Sequence, residues 1–86
     1  MPHFIYILKS LSTAKHYVGS SENPNRRLEF HNTIEKGFTS RYRPWEIIFT
    51  QEFESKSEAL RIEKKIKNWK SRKMIEKLVR GEIKIW

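Results

Sequence analysis

Five consecutive residues near the start, Phe4-Ile5-Tyr6-Ile7-Leu8, are all good strand formers and are apolar on both faces that a strand presents. Alternation puts Phe4, Tyr6 and Leu8 on one side, and Ile5 and Ile7 on the other. Such a strand must be covered from both sides, which predicts a central, buried position in a sheet with layers packed over it. A second strand, His16 to Ser20, follows the polar loop Ser10 to Lys15 and is close enough to pair with the first as a hairpin. The tripeptides Phe4-Ile5-Tyr6 and Tyr17-Val18-Gly19 would then bring two phenols together on one sheet.

The rest of the pattern follows from caps and periodicity. Asn23 is a good N-cap and Pro24 suits the first helical position, so a helix is expected to about Thr33 or Ile34. Gly37 to Pro44 reads as a loop and Trp45 to Phe53 as a third strand. Ser55 or Ser57 caps a second helix, Glu58 to about Trp69, and a third begins near Ser71 and ends before Gly81. The order β-β-α-β-α-α describes one small α+β domain, residues 1–86, with helices on a three-stranded sheet.

Composition narrows the function. With no cysteine, disulfides, thiolate zinc sites and thiol nucleophiles are excluded. Phe4 to Leu8 is the longest apolar run, far short of the ~20 residues of a membrane span. Met1-Pro2-His3 lacks the features of a signal peptide, so a cytoplasmic protein with no membrane association is expected. Eighteen Lys plus Arg against ten Asp plus Glu give a formal charge of +8, a field suited to polyanions and most often to nucleic acid.

The sharpest anomaly lies on the second helix. At ~100° per residue, Ala59, Leu60, Ile62, Ile66 and Trp69 share one apolar sector, and Glu63 falls inside it. A carboxylate there must be paired or bound to a cation. Either it forms a Glu–Arg or Glu–Lys pair or stands at the edge of the apolar stripe, or it is a ligand for Mg²⁺, which takes one carboxylate and keeps several waters. On the first helix, Arg27 and His31 are neighbours on one face, and Arg27 is placed near the helix start for an anion. A phenol has a pKa of about 10, so Tyr6 or Tyr17 serves as a base only where a cation favours the phenolate. Two basic groups, Arg41 with Arg43 and Lys64, Lys67, Lys70, Arg72 with Lys73, are interleaved with aromatics and are expected to hold nucleic-acid backbone. A solvated helix face is the bland reading of the second group, with Trp45 and Trp69 in the core.

The two tripeptides, Arg27 eight residues after Gly19, His31 four further on, and Glu58-Ala59-Leu60-x-x-Glu63 together resemble the GIY-YIG nuclease domain. The similarity runs from about His3 to Leu78 and is nearest to small stand-alone members. Phe4 stands where the family name has glycine. The resemblance implies a three-stranded antiparallel sheet flanked by helices, and metal-dependent phosphodiester hydrolysis. It assigns Glu63 to one Mg²⁺ or Mn²⁺, Tyr17 to activation of water, Tyr6 and His31 to positioning, and Arg27 to charge on the phosphate. It also implies that Gly19 keeps the backbone close to metal and water. The expectation is an endonuclease acting on DNA in preference to RNA, structure-selective or engaged in repair or recombination, with a protein partner to supply specificity. The alternative is a non-catalytic nucleic-acid-binding module on the same scaffold.

Overall fold

The computed structural model describes residues 2–34 and 37–86. Its elements are β1 (His3–Ser10), β2 (His16–Ser21), α1 (Pro24–Thr33), β3 (Trp45–Phe53), α2 (Lys56–Trp69) and α3 (Arg72–Val79), with a short 3₁₀ turn at Phe38–Tyr42. The three strands are antiparallel in the order β2-β1-β3, so the strand that is apolar on both faces is the central one. Asn23, Ser55 and Ser71 cap the helices, each side chain accepting a backbone N–H three residues on. The segment read as a loop from Gly37 to Pro44 contains the 3₁₀ turn, too short to leave a helical period in sequence.

Each face of the sheet has its own core. Ile5, Ile7 and Val18 pack with Phe53 and with Ala59, Ile62, Ile66 and Leu78 of α2 and α3. Tyr6, Leu8 and Trp45 pack on the other side with Tyr17, Leu28 of α1, Tyr42 and Ile47. β3 serves both layers through a bulge: Ile7 pairs with Phe49 but Leu8 with Ile47, leaving Ile48 as the extra residue. Strict alternation would put Trp45, Ile47, Phe49 and Phe53 on a single face. The bulge instead gives Trp45 and Ile47 to the tyrosine side and Phe49 and Phe53 to the α2 side.

The apolar sector of α2 is narrower than its sequence suggests. Ala59, Ile62 and Ile66 are buried, whereas Leu60 is 44% exposed. On a helical wheel Leu60 lies ~100° beyond Ala59 and outside the sheet-facing arc, so Glu63, at ~40°, stands on the rim of that arc. Past α3, Gly81 takes a left-handed φ of 78° and its N–H bonds to Leu78. The chain then returns so that Ile83 and Ile85 cover the α2-side core, and Trp86 stacks on Phe49 and Phe53. Among the described residues no helix is long and apolar enough to cross a membrane.

This division gives a stability contrast on one helix. Ile66→Ala is expected to lower the unfolding free energy by about 2–5 kcal/mol, and Leu60→Ala by less than about 0.5 kcal/mol. Urea denaturation followed by circular dichroism compares the two.

Candidate functional site

The site is built around Tyr6. The register places Gly19 directly across from it, and the phenol lies over that glycine. A Cβ at position 19 would come within 2.5 Å of the Tyr6 hydroxyl and 2.6 Å of Cζ, so only glycine allows the ring to lie there. Tyr6 is 1% exposed, and its hydroxyl is 3.0 Å from Nε2 of His31, itself 1% exposed. Burial raises the Tyr6 pKa above its ordinary 10.0, a hydrogen bond from Arg27 opposes the rise, and the nearby Tyr17 phenol adds to it. A guanidinium can only donate. The Tyr6 hydroxyl thus meets both the Arg27 guanidinium and His31 Nε2.

Tyr17 lies diagonally across the hairpin from Tyr6, with ring centroids 6.4 Å apart, and its ring is 4.7 Å from that of His31. On its other side the Lys67 ammonium sits 5.7 Å from the Tyr17 centroid. The same ammonium is 2.7 Å from the Glu63 carboxylate, whose side chain is 15% exposed. Arg27 is half-buried, its guanidinium carbon 4.5 Å from the Phe30 centroid. The Glu63 charge is near enough to act on the Tyr6 phenol. Tyr6, Tyr17, Arg27, His31 and Glu63 therefore converge from β1, β2, α1 and α2, linked by Lys67.

Two residues fix the end of α1. The Asn32 side chain both accepts from the Trp45 N–H at 2.7 Å and donates to the Trp45 carbonyl at 3.1 Å. It thus mimics a strand partner and anchors the helix to β3. Arg43 donates from Nε to the His31 carbonyl at 2.7 Å. Asn32 went unread in the sequence because its role depends on meeting β3, and an asparagine near a helix end signals only a cap.

The basic residues divide. Arg43 is half-buried and holds the α1 terminus, whereas Arg41, Lys64 and Lys73 are exposed. Lys67 belongs to the tyrosine site, and Arg72 is 3.8 Å from Glu76, an exposed pair of small energetic worth. Lys70 occupies the α2 C-cap in a left-handed conformation, φ 49° and ψ 35°.

For a divalent cation, the donor set is one carboxylate. Among the described residues no group of three or more His, Cys, Asp or Glu could hold a metal, so a closed zinc-type site is not formed. Glu63 already accommodates a positive charge in the form of the Lys67 ammonium. A partly exposed hard carboxylate with cation-compatible surroundings fits a Mg²⁺-type ion, which keeps waters and completes its shell with phosphate oxygens.

The profile of the GIY-YIG catalytic domain matches residues 2–77. The chain belongs to the GIY-YIG family. Within this family of nuclease domains, UPF0213 proteins of Staphylococcus aureus strains Mu3 and N315 are 35% identical over 74 residues, covering 85% of this chain and 89% of theirs. The solution NMR structure of a UPF0213 protein from Bacillus halodurans is 33% identical and superposes with a TM-score of 0.58, covering 93% of this chain and 84% of that one. GIY-YIG nucleases act on nucleic acids. Gly19 has a local reason that the family pattern does not state, namely the Tyr6 ring above it.

Two outcomes follow. Gly19→Ala forces Tyr6 off its position and away from His31, with an expected loss of about 1–3 kcal/mol and a shifted His31 imidazole resonance in NMR spectra. Tyr6→Phe leaves buried His31 Nε2 without its hydroxyl partner, at a cost of about 1–3 kcal/mol at neutral pH. Because the folded-state pKa of Tyr6 is raised, the neutral phenol's contribution is whole below pH 10 and is lost as pH climbs through the raised value. The stability gap between wild type and Tyr6→Phe should therefore narrow above that pH in denaturation series.

Proposed function

We propose that this chain is a metal-dependent endonuclease that hydrolyses phosphodiester bonds in DNA, acting in the cytoplasm. The observation that carries the reading is the convergence of Tyr17, Glu63 and the Arg27–Tyr6–His31 network at one place. A sheet needs no such set for stability, and phosphodiester cleavage needs a base, a charge-stabilising donor and a hard-cation ligand.

In this reading the scissile phosphate lies against Arg27, whose guanidinium meets two oxygens in its planar fork. Tyr6 keeps its proton, since burial raises its pKa, and acts by holding Arg27 and His31 in place. Tyr17, beside His31 at 4.7 Å between ring centroids, is then the phenol left to activate the attacking water: once its own proton has gone to solvent, its oxygen takes the water's proton. As the water oxygen bonds to phosphorus and the P–O bond to the leaving sugar oxygen breaks, that oxygen takes a proton from solvent, and Arg27 stabilises from a fixed position the charge that builds on the phosphate. Glu63 would hold the cation, Mg²⁺ or Mn²⁺, which when bound supplies Lewis-acid polarisation of a phosphate oxygen. Lys67 must release Glu63 for this, and its ammonium then becomes available to phosphate.

The Glu63–Lys67 ion pair also favours a second reading, a nucleic-acid-binding module in which the pair is permanent and no cleavage occurs. One experiment separates the two: supercoiled plasmid, branched DNA and RNA are each incubated with Mg²⁺, Mn²⁺ or EDTA. The nuclease reading expects nicking of DNA that EDTA abolishes. It expects Glu63→Gln and Arg27→Ala to slow cleavage by about 10²–10³-fold while thermal melts stay cooperative. Cleavage by Glu63→Gln at the wild-type rate rules out the metal site, and absence of cutting on all substrates leaves the binding module.

A further inference from the structure

A cavity of about 620 Å³ opens beside the tyrosine site, between β2 with its preceding loop and the junction of α2 and α3. Tyr17, Val18, Ile66 and Ile75 give it an apolar side with one aromatic ring. Lys15, Lys67, Lys70 and Arg72 line it as well, and none of the described lining residues is acidic. The volume is in the usual range for a small-molecule site. Tyr17 and Lys67 belong to both the cavity and the tyrosine site, so whatever occupies one is adjacent to the other.

An apolar lining with one aromatic ring, set beside a cluster of cations, suits a ligand with an aromatic face and a phosphate. A paired base cannot use it, because its faces are covered by its neighbours in the duplex. We infer that this cavity receives an unpaired nucleobase next to the scissile phosphate, making the preferred substrate a nucleic acid with an unpaired nucleotide at the cleavage point. The base lies against Tyr17 and the aliphatic side chains, and its phosphate is held by Lys70, Arg72 and Lys67. Position 70 supports this independently. Its left-handed conformation is one that glycine or asparagine adopts readily and lysine adopts at a cost, so lysine there is not explained by the turn. A cation on the cavity wall is what the residue adds.

The inference rests on the nuclease reading for the adjacent chemistry, whereas the binding can be measured without it. Fluorescence anisotropy in EDTA compares a fully paired DNA duplex with the same duplex carrying one bulged 2-aminopurine. The wild-type protein is expected to bind the bulged duplex about tenfold more tightly, the worth of one stacked base, and to change the 2-aminopurine emission. Lys70→Gly should weaken that binding and lower the slope of log K against log salt by about one, the signature of one lost phosphate contact. Its melting temperature should be equal to or above that of the wild type, since the backbone conformation is relieved.

Equal affinity for bulged and paired DNA, unchanged 2-aminopurine emission, or a Lys70→Gly variant with wild-type affinity and slope each overturns the inference. Adding Mg²⁺ to the same duplexes keeps the two proposals apart. Preferential binding without cleavage sinks the nuclease reading alone. Cleavage of both duplexes at one rate, with equal binding, sinks the cavity assignment alone.

Discussion

The hydrogen bond between the buried phenol of Tyr6 and Nε2 of His31, 3.0 Å long, ties the sheet to α1 and sets the chemistry of everything near it. It requires three things of the sequence. A glycine must stand opposite Tyr6, or the ring cannot lie flat over β2. The hairpin register must be exact to the residue, because a slip by one would turn Tyr6 to the α2 side of the sheet. The end of α1 must not fray, and the Asn32 amide on the Trp45 backbone with Arg43 on the His31 carbonyl holds it. Removing water from the phenol raises its pKa and so removes it from service as a base. The same burial that stabilises the network thereby gives a physical basis for setting Tyr6 behind Tyr17, the order that the resemblance implies.

The sheet separates support from chemistry. One face carries Ile5, Ile7 and Val18 against α2 and α3, and the other carries the tyrosines against α1 and the 3₁₀ turn. Trp45 and Phe53, at the two ends of β3, are an even number of residues apart and would share one face if the strand alternated strictly. The bulge at Ile48 resolves this by changing the parity of β3 midway, so that Trp45 supports the tyrosine layer and Phe53 the other. Glu63 and Lys67 come from the supporting helix, on the rim of its buried arc. That rim is where a carboxylate can stay hydrated enough to remain charged and yet lie close to Tyr17 and Tyr6.

Element order, the central position of β1 and the caps at Asn23, Ser55 and Ser71 were legible because each rests on local chemistry: alternation, a side-chain acceptor, a missing N–H. The convergence of Tyr6, Tyr17, Arg27, His31 and Glu63 was legible only as a spaced set, since each alone has an ordinary structural use. The bulge at Ile48 was not legible. It shows as a mismatch between β1 and β3, and neither strand carries that mismatch by itself. The width of the α2 sector was overread for a related reason. Periodicity gives the angle of Leu60 but not the width of the surface that α2 packs against, and the sheet covers only Ala59, Ile62 and Ile66 among the buried positions. Asn32 and the pairing of Arg43 escaped because both partners are backbone groups far along the chain.

Charge connects the two parts of the functional face. In a chain of net charge +8, a carboxylate on the rim of the core attracts the nearest ammonium, and Lys67, one turn along α2, is in the favourable order for a Glu–Lys pair. That pairing neutralises Glu63 and keeps Lys67 away from phosphate. The two effects are linked: any cation that takes the carboxylate releases the ammonium on a wall shared by Tyr17 and the cavity. On the nuclease reading, binding at Glu63 and binding of the nucleotide phosphate then strengthen each other, since each removes a competitor of the other. A lysine in this place is thus more than a surface charge. On that reading it lets one small helix hold its carboxylate satisfied when alone and present both a ligand and a phosphate contact when the substrate arrives.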